Sequence, residues 1–165
     1  IEAGRVQLES VAFDLDTLVN DVVGMMDQRA VEKGVDLRLE RSARTIRYVR
    51  GDETRLRQVL VNLLGNAIKF TPQGSVTLRL DTLPGPNGPR LSIEVEDSGP
   101  GVPEESRLKV FEPFFTTKGA DRQHIGMGLT VAQEVVNGHG GFIDIESPGD
   151  SRRGCRVRVQ FPVGA

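Results

Sequence analysis

Hydrophobic and polar positions follow two different periods along the chain, and each period predicts one kind of element. In three segments the apolar residues recur every three or four positions, which is the spacing of an amphipathic helix. The first of these segments is followed by Gly34, a residue type that readily adopts the left-handed conformation found at helix ends. We therefore predict helices over residues 13–33, over about 53–70, and from near Gly128 to Gly138.

Elsewhere apolar and polar residues alternate one by one, which is the pattern of a strand with one buried face. The predicted strands are 36–40, 45–49, 75–83, 90–97, 141–146 and 156–162. Small, polar or proline-rich turns separate them pairwise, so we expect antiparallel hairpins. Helices and strands mixed in this way predict an α/β two-layer sandwich.

Composition and charge narrow the classes of function. The chain has 165 residues, which suits one domain, and its 21 basic against 23 acidic residues argue against a nucleic-acid-binding surface. A single cysteine cannot form an internal disulfide, which favours a reducing, cytoplasmic location. One cysteine and two histidines are also too few for the usual Cys/His zinc clusters. No apolar run approaches the roughly 18 residues of a membrane helix, so we expect no membrane contact by this domain.

The second predicted helix has two distinct faces. Its apolar face is formed by Leu56, Val59, Leu60, Leu63, Leu64 and Ala67, and its polar stripe by Arg55, Gln58, Asn62, Asn66 and Lys69. Asparagine is a poor helix former, so two of them in one helix are unusual on a face that only meets water. Either the stripe is nevertheless a solvated face, or its amide oxygens and ammonium meet metal-bound phosphates. Mg²⁺ is a hard cation that such amide oxygens suit.

Two glycine-containing segments flank an irregular region. Asp97-Ser98-Gly99-Pro100-Gly101 follows a predicted strand, either as an ordinary strand-end turn or as a close approach to a planar ligand ring. Gly126-Met127-Gly128-Leu129 opens the third helix, whose free N–H groups can bind an anion. Between them, Phe111, Phe114 and Phe115 precede a long polar run, which is either a packed loop or a lid over a ligand.

In this order and spacing, the four segments resemble the ATP-binding catalytic domain of bacterial sensor histidine kinases. That domain belongs to the GHKL superfamily, with the gyrase, heat-shock chaperone and MutL-type ATPases. Residues 55–71 resemble its N box, 97–101 its first glycine box, 111–115 its F box and 126–129 its second glycine box. The resemblance implies a Bergerat-type fold: a mixed, mostly antiparallel five-stranded sheet covered on one face by three helices.

The resemblance also implies ATP and Mg²⁺ as ligands and assigns residues to them. Asn66 would coordinate the metal with Asn62 beside it, Lys69 would contact phosphate, and Asp97 would bind the adenine amino group. The other nucleotide contacts implied are Gly99, Gly101, Phe111, Phe115, Gly126, Gly128 and Leu129, with a lid over about 112–126. Two positions depart from the family pattern: Thr130 replaces a frequent third glycine, and Cys155 replaces a Ser or Thr, where we expect a buried structural cysteine.

As a function, the resemblance implies transfer of the γ-phosphate of ATP to a histidine on a separate dimerisation domain of the same parent protein. A response regulator receiver domain would then accept the phosphoryl group. We expect residues 1–12 to be the tail of a linker from that domain and 13–163 to be the catalytic domain, a monomer whose parent is a homodimer. His124 and His139 are expected to be solvated loop residues.

Two alternatives remain at this stage. The first is a hydrolytic ATPase clamp, against which Asn62 argues, because an amide stands where related ATPases have a water-activating glutamate. The second is a nucleotide-binding regulatory module without catalysis.

Overall fold

The structure is a computed structural model that describes residues 9–71, 73–86, 88–98, 125–146 and 154–163. Three helices and seven strands lie in these ranges. In chain order they are β1 (Val11–Asp14), α1 (Leu15–Lys33), β2 (Val35–Arg41), β3 (Tyr48–Gly51), α2 (Glu53–Phe70), β4 (Gly74–Leu83), β5 (Arg90–Asp97), α3 (Ile125–Gly138), β6 (Phe142–Glu146) and β7 (Cys155–Pro162). The predicted helix at 53–70 and the strand at 90–97 have the bounds that the sequence pattern gave them.

Capping residues set both ends of α1. The Asp14 carboxylate accepts hydrogen bonds from the backbone N–H groups of Asp16 and Thr17, at 2.9 and 3.3 Å, so the helix begins at Leu15 and not at residue 13. Phe13 instead lies in β1, which also contains residues 11 and 12 of the expected linker tail. At the other end Gly34 adopts φ +79°, the left-handed conformation predicted for it.

A five-stranded sheet with the order β2-β4-β5-β7-β6 forms one layer of the fold, and three helices form the other. Only β2 and β4 pair in parallel; the remaining neighbours are antiparallel. Apolar residues of the helix-facing side of the sheet, such as Val76, Leu78 and Ile93, are fully buried with residues of α1, α2 and α3 in one core. The predicted two-layer sandwich with a mixed, mostly antiparallel sheet is therefore confirmed.

The expected hairpin of the two short N-terminal strands is wrong. β3 pairs with β1 in a separate two-stranded sheet, in antiparallel register from Val11 opposite Gly51 to Asp14 opposite Tyr48. β2 pairs with β4 instead, because α2 lies in the connection between them and a helical crossover is what joins parallel strands. Alternation along a strand reports which face is buried and does not specify the partner strand.

The face of the five-stranded sheet that the helices leave uncovered is charged. Glu40, Arg79, Glu94, Arg158 and Asp144 lie opposite one another in register, so that the sign of the charge alternates across all five strands. Arg79 Nε lies 2.7 Å from a carboxylate oxygen of Glu40, and Arg158 Nε lies 2.9 Å from one of Glu94. Cross-strand pairs of opposite charge stabilise a solvated sheet face. Within the described ranges, no helix has the length and apolar character needed to cross a bilayer.

Candidate functional site

Most of the central helix α2 is at least partly buried on every side. From Arg55 to Lys69 none of its residues is exposed, and the predicted apolar face is buried. The five residues of the polar stripe, Arg55, Gln58, Asn62, Asn66 and Lys69, are all half-buried. A solvated helix face would expose such side chains, so the structure speaks against the solvated-face interpretation. The stripe lines a partly enclosed surface.

Asn66 and Thr71 each bury a polar atom near the C-terminal end of α2. Asn66 Nδ2 and Thr71 Oγ1 are inaccessible to solvent, and neither has a hydrogen-bond partner among the described residues. Thr71, which caps the helix, is 0% exposed. A buried polar group without a partner costs about 1–3 kcal/mol, so proteins rarely keep one where it has no use. Asn66 belongs to the polar stripe and Thr71 does not, so of the two it is Asn66 that marks a place built to meet a polar ligand.

Lys33 binds the C-terminal end of α2 from the neighbouring helix. Its Nζ donates to the carbonyl oxygen of Ile68 at 2.7 Å and to that of Lys69. These carbonyls lie in the last turn of α2, where helices leave acceptors unsatisfied and the helix dipole favours a cation. Lys33 therefore fixes the turn that carries Lys69.

Asp52 caps the opposite end of α2. One carboxylate oxygen accepts from the Arg55 N–H at 3.0 Å, and the other accepts from the Glu9 N–H at 3.0 Å. Burial of Asp52, which is 5% exposed, raises the pKa of its carboxyl, but the two backbone hydrogen bonds and the charge of Arg55 outweigh burial. The pKa of Asp52 therefore lies below its ordinary value of 3.8.

Asp97, the predicted adenine-binding residue, lies at the end of β5 between two other strands. It is half-buried and pairs with Val76 of β4 and with Cys155 of β7. Gly154, with φ +122°, lies so close that a Cβ there would be 2.2 Å from the carbonyl oxygen of Asp97. Close backbone packing therefore fixes the position of Asp97 on the β7 side.

The turn after Asp97 is held by two hydrogen bonds to the start of β4. Ser98 N–H donates to the Ser75 carbonyl at 3.0 Å, and Ser75 N–H donates to Ser98 Oγ at 2.9 Å. Gly74, with φ +131°, leaves room for Ser98, because a Cβ there would lie 2.0 Å from Ser98 Oγ. Gly74 was not among the predicted site residues, because a single glycine before a strand gives a weaker signal than a pair of glycines.

Cys155 and His139 differ from what was expected of them. Cys155 is half-buried rather than fully buried, and it packs against the core beside Asp97. His139 is not a solvated loop residue: it is half-buried, and its Nε2 lies 3.3 Å from the backbone nitrogen of Asp52. The histidine follows α3 directly and has a partner 87 positions away, which no local pattern could have indicated.

The structure places the whole second glycine segment but only the ends of the irregular region before it. Gly126, Gly128 and Leu129 lie in the first turns of α3, which begins at Ile125, three residues earlier than predicted. The following predicted sites and segments lie outside the described residues: Gly99, Gly101, Phe111, Phe114, Phe115, His124 and residues 112–124 of the lid. Their predicted roles stay predictions.

The residues of α2 suit a hydrated divalent cation and its phosphates. Asn62 and Asn66 are one helical turn apart on the same stripe, and Lys69 is three positions beyond Asn66. Amide oxygens are hard ligands of the kind Mg²⁺ accepts alongside waters and phosphate oxygens. The buried Nδ2 of Asn66, which has no partner among the described residues, is a donor that suits a phosphate oxygen, and the Oδ1 of the same amide is the atom that suits the metal.

Comparison with known proteins places this site in a family context. Residues 51–165 match the family described as histidine kinase-, DNA gyrase B-, and HSP90-like ATPase. The sensor histidine kinase AruS of Pseudomonas aeruginosa is 41% identical over 145 residues, which cover 84% of this chain and 14% of AruS. Curated relatives are much longer, and the chain spans between 14% and 19% of their lengths.

Solved structures agree with the fold. Full-length ShkA in complex with AMPPNP superposes with a TM-score of 0.85 and 31% identity, covering 99% of this chain and 33% of ShkA. The histidine kinase ThkA, solved in complex with the response regulator protein TrrA, gives a TM-score of 0.77 and 28% identity over 95% of this chain and 42% of ThkA. Both similarities extend over nearly the whole chain.

Proposed function

The chain belongs to the histidine kinase-, DNA gyrase B-, and HSP90-like ATPase family, and from that premise we propose that it is the ATP-binding catalytic domain of a sensor histidine kinase. It binds ATP with Mg²⁺ and transfers the γ-phosphate to a histidine on the dimerisation domain of its parent protein. The observation that carries the proposal is the half-buried polar stripe of α2, with the unpaired, buried amide of Asn66.

In this proposal α2 binds the phosphate end of the nucleotide. Asn66, with Asn62 one turn before it, holds the metal ion, and Lys69 contacts a phosphate as a point charge. When bound, Mg²⁺ neutralises charge on the phosphate oxygens. The last turn of α2, which Lys33 fixes through two carbonyls, keeps the Lys69 ammonium in place.

The other contacts come from the sheet and from α3. Asp97 accepts a hydrogen bond from the adenine amino group, and the backbone packing of Gly154 keeps it in position. The N–H groups at Gly126 and Gly128 lie at the start of α3, where a helix favours phosphate. We also retain the roles that the family resemblance assigns to five further residues. Gly99 and Gly101 shape the adenine pocket, Phe111 and Phe115 anchor the lid, and Leu129 contacts the nucleotide.

The residues favour transfer over hydrolysis. Phosphoryl transfer depends mainly on positioning and on electrostatic stabilisation, which a cation, a metal and backbone donors provide. Hydrolysis would need a group that activates water. Asn62 has no useful basicity for that task, so the phosphoryl group goes to an external nucleophile, a histidine of the parent protein.

The partners follow from the reaction. The dimerisation domain of the parent supplies the histidine, and a response regulator receiver domain takes the phosphoryl group from it; the ThkA complex with TrrA supports a partner of this kind. We place the domain in the cytoplasm, where ATP and a reducing environment occur together. The parent is a homodimer, and this domain by itself is a monomer.

Nucleotide binding tests the proposal directly. Titration of the chain with AMPPNP should give saturable binding that weakens strongly when Mg²⁺ is removed. The Asn66→Ala variant should lose the Mg²⁺-dependent binding and keep its fold by circular dichroism. Asn20→Ala, at an exposed position of α1, is the matched control and should bind as the wild type does. Normal binding by Asn66→Ala would refute the role of Asn66.

A further inference from the structure

We propose that His139 is a positioning residue for nucleotide binding, because it sets how α3 lies along α2. The proposal rests on the proposed function, since it takes these two helices to carry the phosphate-binding groups. His139 itself is remote from those groups. It lies in the turn after α3 and touches the residue that caps α2.

Both ring nitrogens of His139 have partners. Nδ1 lies 2.9 Å from the carbonyl oxygen of Val135, one turn back in α3, and can only donate to it. Nε2 is then the acceptor in the neutral ring, and it receives the Asp52 N–H at 3.3 Å. The ring also packs on Phe161 of β7, with the centroids 5.3 Å apart. One side chain thus ties the end of α3 to the start of α2.

The turn that carries His139 is itself fixed against the sheet. Gly140, with φ +76°, turns the chain, and its N–H donates to the Asn137 carbonyl at 3.0 Å. Gly141 then passes so close to β7 that a Cβ there would lie 2.1 Å from the carbonyl oxygen of Gln160. The turn therefore holds the imidazole in one position, and this position determines where the Asp52 N–H must lie to bond with it.

Asp52 is equally constrained on its side. Its carboxylate accepts from Glu9 and Arg55, and its carbonyl oxygen accepts the first helical hydrogen bond of α2, from Leu56 N–H at 3.0 Å. With the N–H directed to His139, each polar group of Asp52 has a partner. The position of the first turn of α2 is thereby tied to the end of α3.

This contact reaches the distant site through the packing of α3 against α2. The end of α3 meets the start of α2 at His139 and Asp52. We infer from this that α3 runs back along α2, which brings its start, with Gly126 and Gly128, toward Asn66 and Lys69. Asp52 and Asn66 are separated by about 20 Å along the helix at 1.5 Å per residue. A rigid helix that slides by 1 Å at one end slides by as much at the other, and errors of that size matter for bound phosphates.

Three variants separate positioning from general stability. His139→Phe keeps a ring against Phe161 and removes both hydrogen bonds. His139→Gln places an acceptor near the Nε2 position and should restore the contact with Asp52. Phe161→Leu removes the ring contact and leaves the hydrogen bonds. For each variant, the Kd for AMPPNP with Mg²⁺ and the free energy of unfolding in urea are measured on the whole chain.

We expect His139→Phe to raise the Kd about tenfold, His139→Gln to stay within about threefold of the wild type, and Phe161→Leu to lose stability without a change in Kd. If His139→Phe does not fold, His139→Asn, which keeps a donor near the Nδ1 position but loses the Nε2 acceptor and the ring, should raise the Kd in the same way; Phe161→Leu accounts for the lost ring contact. An unchanged Kd in the folded variants, or a Kd that follows stability in all of them, overturns the role of His139 alone. A wild-type chain that binds no AMPPNP overturns the proposed function, and this inference with it.

Discussion

We predict that Asn66 contributes to nucleotide binding and lowers the stability of the free protein. Its Nδ2 is buried without a partner among the described residues, so the free protein carries the cost of an unmade hydrogen bond. We predict that Asn66→Leu stabilises the chain, because leucine has a similar length, suits an interior position of a helix and has no polar side-chain group to leave unpaired. The same change should remove nucleotide binding.

The magnitude follows from two contributions. Removing a buried, unpaired amide donor recovers about 1–3 kcal/mol, and leucine is a better helix former than asparagine by about half a kcal/mol. The extra branch of leucine in a half-buried position offsets part of this gain. The expected net gain is about 1–2 kcal/mol, which for a domain of this size raises Tm by roughly 2–4 °C per kcal/mol.

Urea denaturation and AMPPNP titration, run on the same samples, provide the assay. Thr71→Val is the matched control, since it removes the other buried, unpaired polar atom at the same end of α2 and changes little in shape. It should gain about 1 kcal/mol and keep its affinity for AMPPNP. The reasoning is refuted if Asn66→Leu destabilises the chain by more than 1 kcal/mol, or if it still binds AMPPNP as the wild type does.

Three further predictions concern the residues that hold the site. Lys33→Met should cost about 1 kcal/mol in urea denaturation, whereas Lys33→Arg, which keeps a cation at the α2 carbonyls, should cost less than half of that. Gly154→Ala should lower the free energy of unfolding by at least about 2 kcal/mol, because a Cβ there would meet the Asp97 carbonyl oxygen. Gly34→Ala should lower it by only about 1 kcal/mol, because a Cβ at Gly34, with φ +79°, would meet no atom within 4 Å. The folded-state pKa of Asp52 lies below 3.8, so its carboxylate stabilises the fold above that pH, and this contribution is lost as the pH falls further. Asp52→Asn still caps α2 but cannot titrate. The free energy of unfolding of this variant should therefore change less than that of the wild type between about pH 5 and pH 2. Equal pH profiles for the two proteins would contradict this.

The sequence predicted the parts of the fold that depend on local pattern. The bounds of α2 follow from its apolar spacing and from Pro72 just beyond its end, because proline does not continue a helix. Its core face is the one that the spacing gives. The start of α1 was misplaced by two residues, because Phe13 continues the apolar period although it lies in β1. Periodicity cannot distinguish a buried residue near the end of a strand from a buried residue at the start of the following helix.

Long-range partners were the parts that local pattern could not predict. β3 pairs with β1 across about 37 positions, and nothing in the alternation of residues 45–49 indicates that choice. The role of His139 depends on Asp52, and that of Gly154 depends on Asp97, so each becomes visible only when the chain is folded. The candidate site was accessible from sequence because Asn62, Asn66 and Lys69 share one helix, where spacing alone places them on one stripe.

The most direct test of the central claim is the fate of the γ-phosphate in the parent protein. The parent, wild type and with Asn66→Ala, is incubated with Mg²⁺ and ATP labelled at the γ-phosphate, and protein-bound label and free phosphate are followed together. We expect acid-labile label on a histidine outside this domain in the wild type, no label with Asn66→Ala, and little free phosphate. Steady release of phosphate without labelled histidine, or labelling that survives Asn66→Ala, would contradict it.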